Sequence, residues 1–412
     1  MNNRIEPSAR PANQPETAGS FGNNKISSAA ESWRDRKRYL WPLGLLVPLS
    51  PFLAWGAVTV FGLGLFWALG LIVMGVLIPL VDLCCGTDTS NPPENAVAGL
   101  EADRYYRWCI YLFLPLQYAG LVAACWLWVH GPLGVPERIA LALTIGVVAG
   151  VGINAAHELG HKTESVEQWM SKISLAQAGY GHFYVEHNRG HHIRVATPAD
   201  PATARFGESF WRFLPRSVYG GLVSAWALES KRLRRQRRSR WTPRNHLFNA
   251  AALSVLLFGV LIVAFGWSIT GYLILQAVVA IIVFEAANYL EHYGLLRRRR
   301  PDGRYERCSH EHSWNSDHLV SNLFLYHLQR HSDHHTHPLR RYQALRTVDT
   351  APQLPAGYAV MIICALVPPL WRHVMDRRLL TFYDFDPARV NIDPRSHRAH
   401  TRLTALTDSP AS

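Results

Sequence analysis

Three short histidine packets carry most of the chemistry this sequence can do: HELGH at 157–161, EHNRGHH at 186–192 and HLQRHSDHH at 327–335. A neutral imidazole is a nitrogen ligand near pH 7, and several at helical spacing converge on a metal. His157 and His161 are spaced i,i+4 and share one face of a helix. His187, His191 and His192 follow at i, i+4, i+5, and His331, His334 and His335 at i, i+3, i+4. Each packet presents two or three nitrogens from about one helical turn. His292, in NYLEHYG, is the ninth candidate ligand. Isolated histidines are usually surface or structural residues, and His130, His246, His373, His397 and His400 are read that way.

Ligand count separates the metals. HELGH also matches the H-E-x-x-H signature of zinc metalloproteases. A catalytic zinc needs three protein ligands and a water, which would leave most of the packets unexplained. Two metals with four or five nitrogens each use all nine. Such ligation suits iron and oxygen chemistry, with copper, manganese or zinc left open by geometry alone. Glu158, Glu186, Glu291, Asp317 and Asp333 interleave with the histidines. They are either helix-surface charges or acceptors that orient the imidazoles, and the second reading is preferred. Glu285 sits in an apolar run, where a carboxylate is costly unless it faces a polar site. Asn154 and Asn288 flank the packets similarly. His182, His312, His318 and His327 stay open as ligands or supporting donors.

The elements that hold these packets are apolar spans. Leu40 to Val81 has no charged side chain, twice the roughly 20 residues one span needs, and reads as a helical hairpin of about 40–57 and 62–83. Tyr111 to His130, Ile139 to Ala156, Leu247 to Trp267 and Ile269 to Tyr289 complete six spans. The connections near 60, 131–138 and 267–268 hold one basic residue, Arg138, whereas 157–246 and 290–412 hold KRLRRQRRSR and RRRR. The positive-inside rule therefore puts both termini and every packet on the cytoplasmic face of a cytoplasmic membrane. A seventh apolar run, Tyr358 to Trp371, is short and broken by Pro368 and Pro369, and is expected to pack rather than span. The expected fold is an all-α membrane protein: six transmembrane helices under a cytoplasmic, histidine-rich helical cap that holds a dinuclear metal site. Residues 1–33 are expected as a disordered tail, 34–375 as the membrane domain with its cap, and 376–412 as a cytoplasmic tail.

The net charge of +12 fits membrane topology and an acidic partner rather than nucleic acid. The six cysteines form no C-x-x-C pair, which excludes a thiolate metal site and a disulfide framework.

At these residues the sequence resembles the integral-membrane alkane monooxygenases, non-haem diiron hydroxylases. The blocks are NAAHELGHK at 154–162, GHFYVEHNRGHHIRVATPADPATARFGES at 181–209, NYLEHYGL at 288–295 and HSWNSDHLVSNLFLYHLQRHSDHHTHP at 312–338. With the six-span plan they cover most of residues 35–395. The three packets alone would also suit membrane fatty-acid desaturases and related hydroxylases. The resemblance implies terminal hydroxylation of medium- or long-chain n-alkanes by O2 and two electrons, at two Fe ions held by the nine histidines. Some relatives carry a fused rubredoxin; after residue 340 this sequence has one cysteine, Cys364. A separate rubredoxin, reduced by an NAD(P)H-dependent reductase, is therefore expected to dock on the arginine-rich face. The substrate is expected to reach the metals from the bilayer. Bulky residues of the second span, such as Leu63, Phe66, Trp67 and Met74, either limit its length or simply pack against lipid.

Overall fold

The computed structural model describes residues 33–408. The expectation for 1–33 lies outside them, apart from Trp33. Among the described residues there are helices and isolated β-bridges but no strands. In chain order the main helices are α1 Arg38–Phe61, α2 Gly64–Cys85, α3 Glu94–Ala102, α4 Arg104–His130, α5 Val135–Gly160, α6 Ser165–Ala176, α7 at 183–194, α8 Phe210–Arg235, α9 His246–Phe265 and α10 Trp267–His292. They are followed by α11 Leu319–Phe324, α12 His331–Thr336, α13 Tyr358–Leu366, α14 Pro368–Phe382 and α15 His397–Asp408. Six of them, α1, α2, α4, α5, α9 and α10, are long and apolar enough to cross a membrane. The hairpin turn between α1 and α2 falls at Gly62, whose positive φ of 67° lets its N–H close the last turn on the Val58 carbonyl at 2.8 Å.

The most enclosed span, α5, lies against α10. Small residues make that approach possible. A Cβ added at Gly146 would stand 2.5 Å from Val279 Cβ, and one at Gly150 3.0 Å from Val283 Cβ. This is the small-x-x-x-small packing of membrane helices, where close van der Waals contact replaces a hydrophobic driving force. Both helices run the same way, so His157 and His292 leave two adjacent C-termini at the membrane edge of the cap. Helix C-termini carry partial negative charge, which favours a cation there.

The cap rests on an aromatic layer. Tyr289 and Tyr293 of the α10 end pack on Trp371 with ring centroids 5.0 and 5.3 Å apart, and Trp314 Nε1 donates to the Tyr293 carbonyl at 3.0 Å. The seventh apolar run is α13 and the start of α14, broken at Val367, and it packs on α10 as expected.

Two expectations are corrected here. The boundary at 375 falls inside α14, and 376–408 wrap the cap rather than trail from it. Asp376 accepts from Tyr293 Oη at 2.6 Å, Leu379, Tyr383, Val390 and Leu403 are buried, and the Asn391 N–H bonds the Gly294 carbonyl. Apolar residues diluted among charges concealed that packing. Second, the RRRR block is not wholly a surface charge: Arg297 is buried and donates to the Ile193 carbonyl, while Arg298, Arg299 and Arg300 are exposed.

Candidate metal centre

All nine histidines meet beneath the cap, in two groups. His157, His161, His187, His192 and His334 form one; His191, His292, His331 and His335 form the other. Within each group one nitrogen per ring lies within 4.8 Å of all the others. Nε2 of His157 is 2.9 Å from Nε2 of His334, and Nε2 of His192 is 3.0 Å from that of His187. In the second group Nε2 of His331 stands 3.0 Å from that of His335 and 3.3 Å from that of His292.

The split follows a local irregularity. Residues 187–191 form a π-helix, which widens the turn so that His187 pairs with His192 at i,i+5 and His191 points into the other group. Regular helical spacing would have paired His187 with His191. On α12, His331 and His335 share a face while His334 reaches across to the first group. Ahead of α12, Tyr326 and His327 hold positive φ of 51° and 54° although neither is glycine. Tertiary bonds keep them there: Tyr326 Oη donates to the Cys109 carbonyl and His327 Nδ1 to the Tyr342 carbonyl.

The donor chemistry fits metal ions. His191 Nδ1 donates to Asp200 Oδ2 at 2.9 Å, and His292 Nδ1 donates to the His312 carbonyl at 3.1 Å. Both partners only accept, so Nδ1 carries the proton and each Nε2 turns a bare lone pair inward. His161 Nε2 and His191 Nε2 are buried without a protein partner. Burial, reinforced by the neighbouring imidazoles, holds His161, His187, His192, His331, His334 and His335 well below the usual imidazole range. They are neutral nitrogen donors at pH 7, and converging lone pairs need a proton donor or a cation, which a metal ion supplies to several rings at once.

The carboxylates divide differently from expectation. Glu291 Oε2 lies 3.3 Å from His331 Nε2. Glu158 is instead paired with Lys162 Nζ at 2.9 Å and accepts the Tyr342 N–H; both side chains are buried. A zinc protease would need this glutamate free beside its metal. Glu186 pairs with Arg194, and burial raises its carboxyl above the usual range. Asp317 accepts from Thr347 Oγ1. Asp333 is gripped by Arg340 at 3.0 and 2.8 Å and by the Arg346 N–H; burial works against its charge, but these bonds and His310 win and lower it to about 2. Asp333 also lies near His310 and His337, but with Arg340 on both its oxygens that set is an ion-pair network and not a cation site. The charge-bearing acceptor missed by spacing arguments is Asp200. Burial raises its pKa and His191 with Thr203 more than offsets this, leaving it lowered. Asp200 lies nine residues from His191 in the sequence, in a stretch with no histidine.

Of the four open histidines none joins either group. His312 bonds Ser309 and Glu306, His318 bonds Ser316, His327 bonds Tyr342, and His182 lines a small cavity.

Helices in a membrane with two convergent imidazole groups define a class, and the comparisons agree on it. The sequence model of the fatty acid desaturase family matches residues 137–365. Alkane 1-monooxygenase 1 of Alcanivorax borkumensis is 46% identical over 88% of this chain and 90% of its own length. Alkane 1-monooxygenase of Ectopseudomonas oleovorans is 44% identical over 90% and 92%. The xylene/toluene monooxygenase hydroxylase component XylM of Pseudomonas putida is 27% identical over 66% and 74%. The chain belongs to the alkane 1-monooxygenases of the fatty acid desaturase family, and it is a monooxygenase.

Proposed function

We propose that the chain hydroxylates the terminal carbon of medium- or long-chain n-alkanes with O2 and two electrons, at two iron ions held by His157, His161, His187, His192 and His334 and by His191, His292, His331 and His335. The observation that carries this is the meeting of nine imidazoles in two groups inside a chain of this family. Bound iron would supply the reduction of O2 and the attack on an unactivated C–H bond.

The protein supplies the rest. Asp200 and the His312 carbonyl fix the tautomers and ring planes of His191 and His292. Glu291, beside His331, is the carboxylate placed to act on the reacting side; Glu158, Glu186 and Asp333 brace Lys162, Arg194 and Arg340 around it. An alkane offers no polar handle, so its binding rests on burial, about 0.8 kcal/mol per CH2, or roughly 6 kcal/mol for eight carbons. A predominantly apolar groove of about 540 Å3 between α1, α2 and α11, lined by Leu46, Leu53, Val73, Leu77 and Phe324, is where a chain dissolved in the bilayer would first lie. Met74 and Phe66 are half-buried, Trp67 is buried and Leu63 exposed, and none of the four lines it.

Electrons are assigned to a separate acidic rubredoxin with its NAD(P)H-dependent reductase. Arg234 and Arg235 in the last turn of α8 and Arg237, Arg238 and Arg240 just after it are exposed and offer the complementary face, on the cytoplasmic side. The test is iron content together with product analysis: membranes given rubredoxin, reductase and NADH should convert octane, dodecane or hexadecane to the 1-alkanol. One zinc and no iron, or an olefin in place of the alkanol, would refute it.

A further inference from the structure

Glu285 is a carboxylate within α10, seven residues before His292, and nothing in the ligand set accounts for it. It is buried. Its Oε1 accepts from Tyr180 Oη at 2.7 Å and Asn288 Nδ2 at 3.0 Å, the Ser217 hydroxyl lies beside the carboxylate, and Oε2 has no close hydrogen-bond partner among the described residues. A charged or polar group at that depth is expensive unless something satisfies it. Beside it is a cavity of about 20 Å3, whose wall is shared by Glu285, Tyr180, His182, Glu186 and the two ligands His187 and His191. Glu186 Oε2 is likewise buried without a partner. A space of that size holds about one water, and a buried water needs two to four polar neighbours, which this wall provides. His182, half-buried, borders the cavity on the side of Gly221.

We infer that this cavity is a water site that delivers protons to the oxygen-reducing centre, with Glu285 and His182 positioning the water. The inference rests on the hydroxylase reading. The reaction RH + O2 + 2e− + 2H+ → ROH + H2O breaks the O–O bond and one C–H bond, forms the C–O and O–H bonds of the alcohol, and sends the second oxygen with both protons taken up into water. The electrons come from the iron–sulfur carrier. The protons must cross a shell of largely buried imidazoles. The cavity touches one histidine of each group, His187 and His191, so a proton passed along His182 and the water arrives between the two.

Gly221 provides the test. A Cβ there would sit 3.7 Å from His182 Nε2 and 3.8 Å from Glu186 Cγ, ordinary contact distances, so Gly221→Ala takes up cavity space without a clash. Glu285→Gln keeps the Tyr180 bond and removes the carboxylate, and it serves if the alanine variant folds poorly. A high-resolution experimental map of the full iron-loaded chain in lipid should show a water on Glu285 Oε2 in the wild type and none in Gly221→Ala. With iron content unchanged, both variants should lose alkanol formation on the order of 100-fold. Their solvent deuterium isotope effect should rise, which a merely structural defect would not cause. An empty or hydrocarbon-filled cavity in the wild type, or an unchanged isotope effect and rate in both variants, overturns the inference. An iron-loaded wild type that makes no alkanol brings down the hydroxylase reading instead, and the map still decides the water site.

Discussion

The two histidine groups are built to different standards. The first has five imidazoles and no carboxylate in contact with its nitrogens, and it draws on α5, α7 and α12. The second has four, from α7, α10 and α12, and two of its rings are held from behind by acceptors, Asp200 and the His312 carbonyl, with Glu291 on a third. One group has a donor to spare; the other compensates for fewer donors by fixing their orientation. If both groups hold metal as proposed, redundancy and orientation should fail differently.

The largest contrast is expected from deleting one ring in each. His292→Ala leaves three donors and should lower bound iron from about two per chain toward about one, whereas His161→Ala leaves four and should retain more. Elemental analysis of the purified variants measures this; equal losses would erase the distinction.

Acid should act on both groups together. The six histidines named above as depressed stay neutral in the folded chain, while the unfolded chain takes up protons below about pH 6.5. Above that pH both states are neutral and nothing is lost. Below it the unfolded state binds more protons, so stability of the metal-stripped protein falls by up to about 1.4 kcal/mol per group and pH unit. Thermal unfolding followed between pH 7.5 and 5.5 should show a steep decline; a flat profile would mean the rings are not buried neutral.

Asp200→Asn tests orientation alone. Loss of the carboxylate behind His191 should weaken metal retention or activity roughly 10–100-fold, confined to the second group. Smaller again, Gly146→Ala should cost about 1–3 kcal/mol by pushing α5 from α10. Because His157 and His292 end those helices, iron in both groups should be disturbed slightly, a change visible in the Mössbauer lines of both.

What was legible beforehand follows periodicity. Spans are continuous apolar runs, so α1, α2, α5, α9 and α10 are legible to within about four residues, while α4 begins at Arg104, seven residues before the expected Tyr111, where charged residues dilute the run; the packets are legible because imidazoles at three, four and five residues are rare. Contacts between distant segments leave no such trace. Asp200 sits in a stretch with no histidine, and Glu158 looks like a metalloprotease base until Lys162 is seen beside it. Arg297 reads as one of four surface arginines, and the packing of 376–408 depends on apolar residues too scattered to form a pattern.

The sequence by itself therefore determined the membrane plan, the nine histidines that converge and the family, because those reside in residue type and short-range spacing. The tertiary structure decided which histidines share a group. A π turn at 187–191 swings His191 away from His187, and α12 divides its three rings between two sites. It also decided which carboxylates face imidazoles and which face cations, and it placed the intramembrane Glu285 on the wall of a one-water cavity. Those outcomes depend on backbone path and on partners far apart in the sequence, such as His157 with His334 at a separation of 177, which no local pattern encodes.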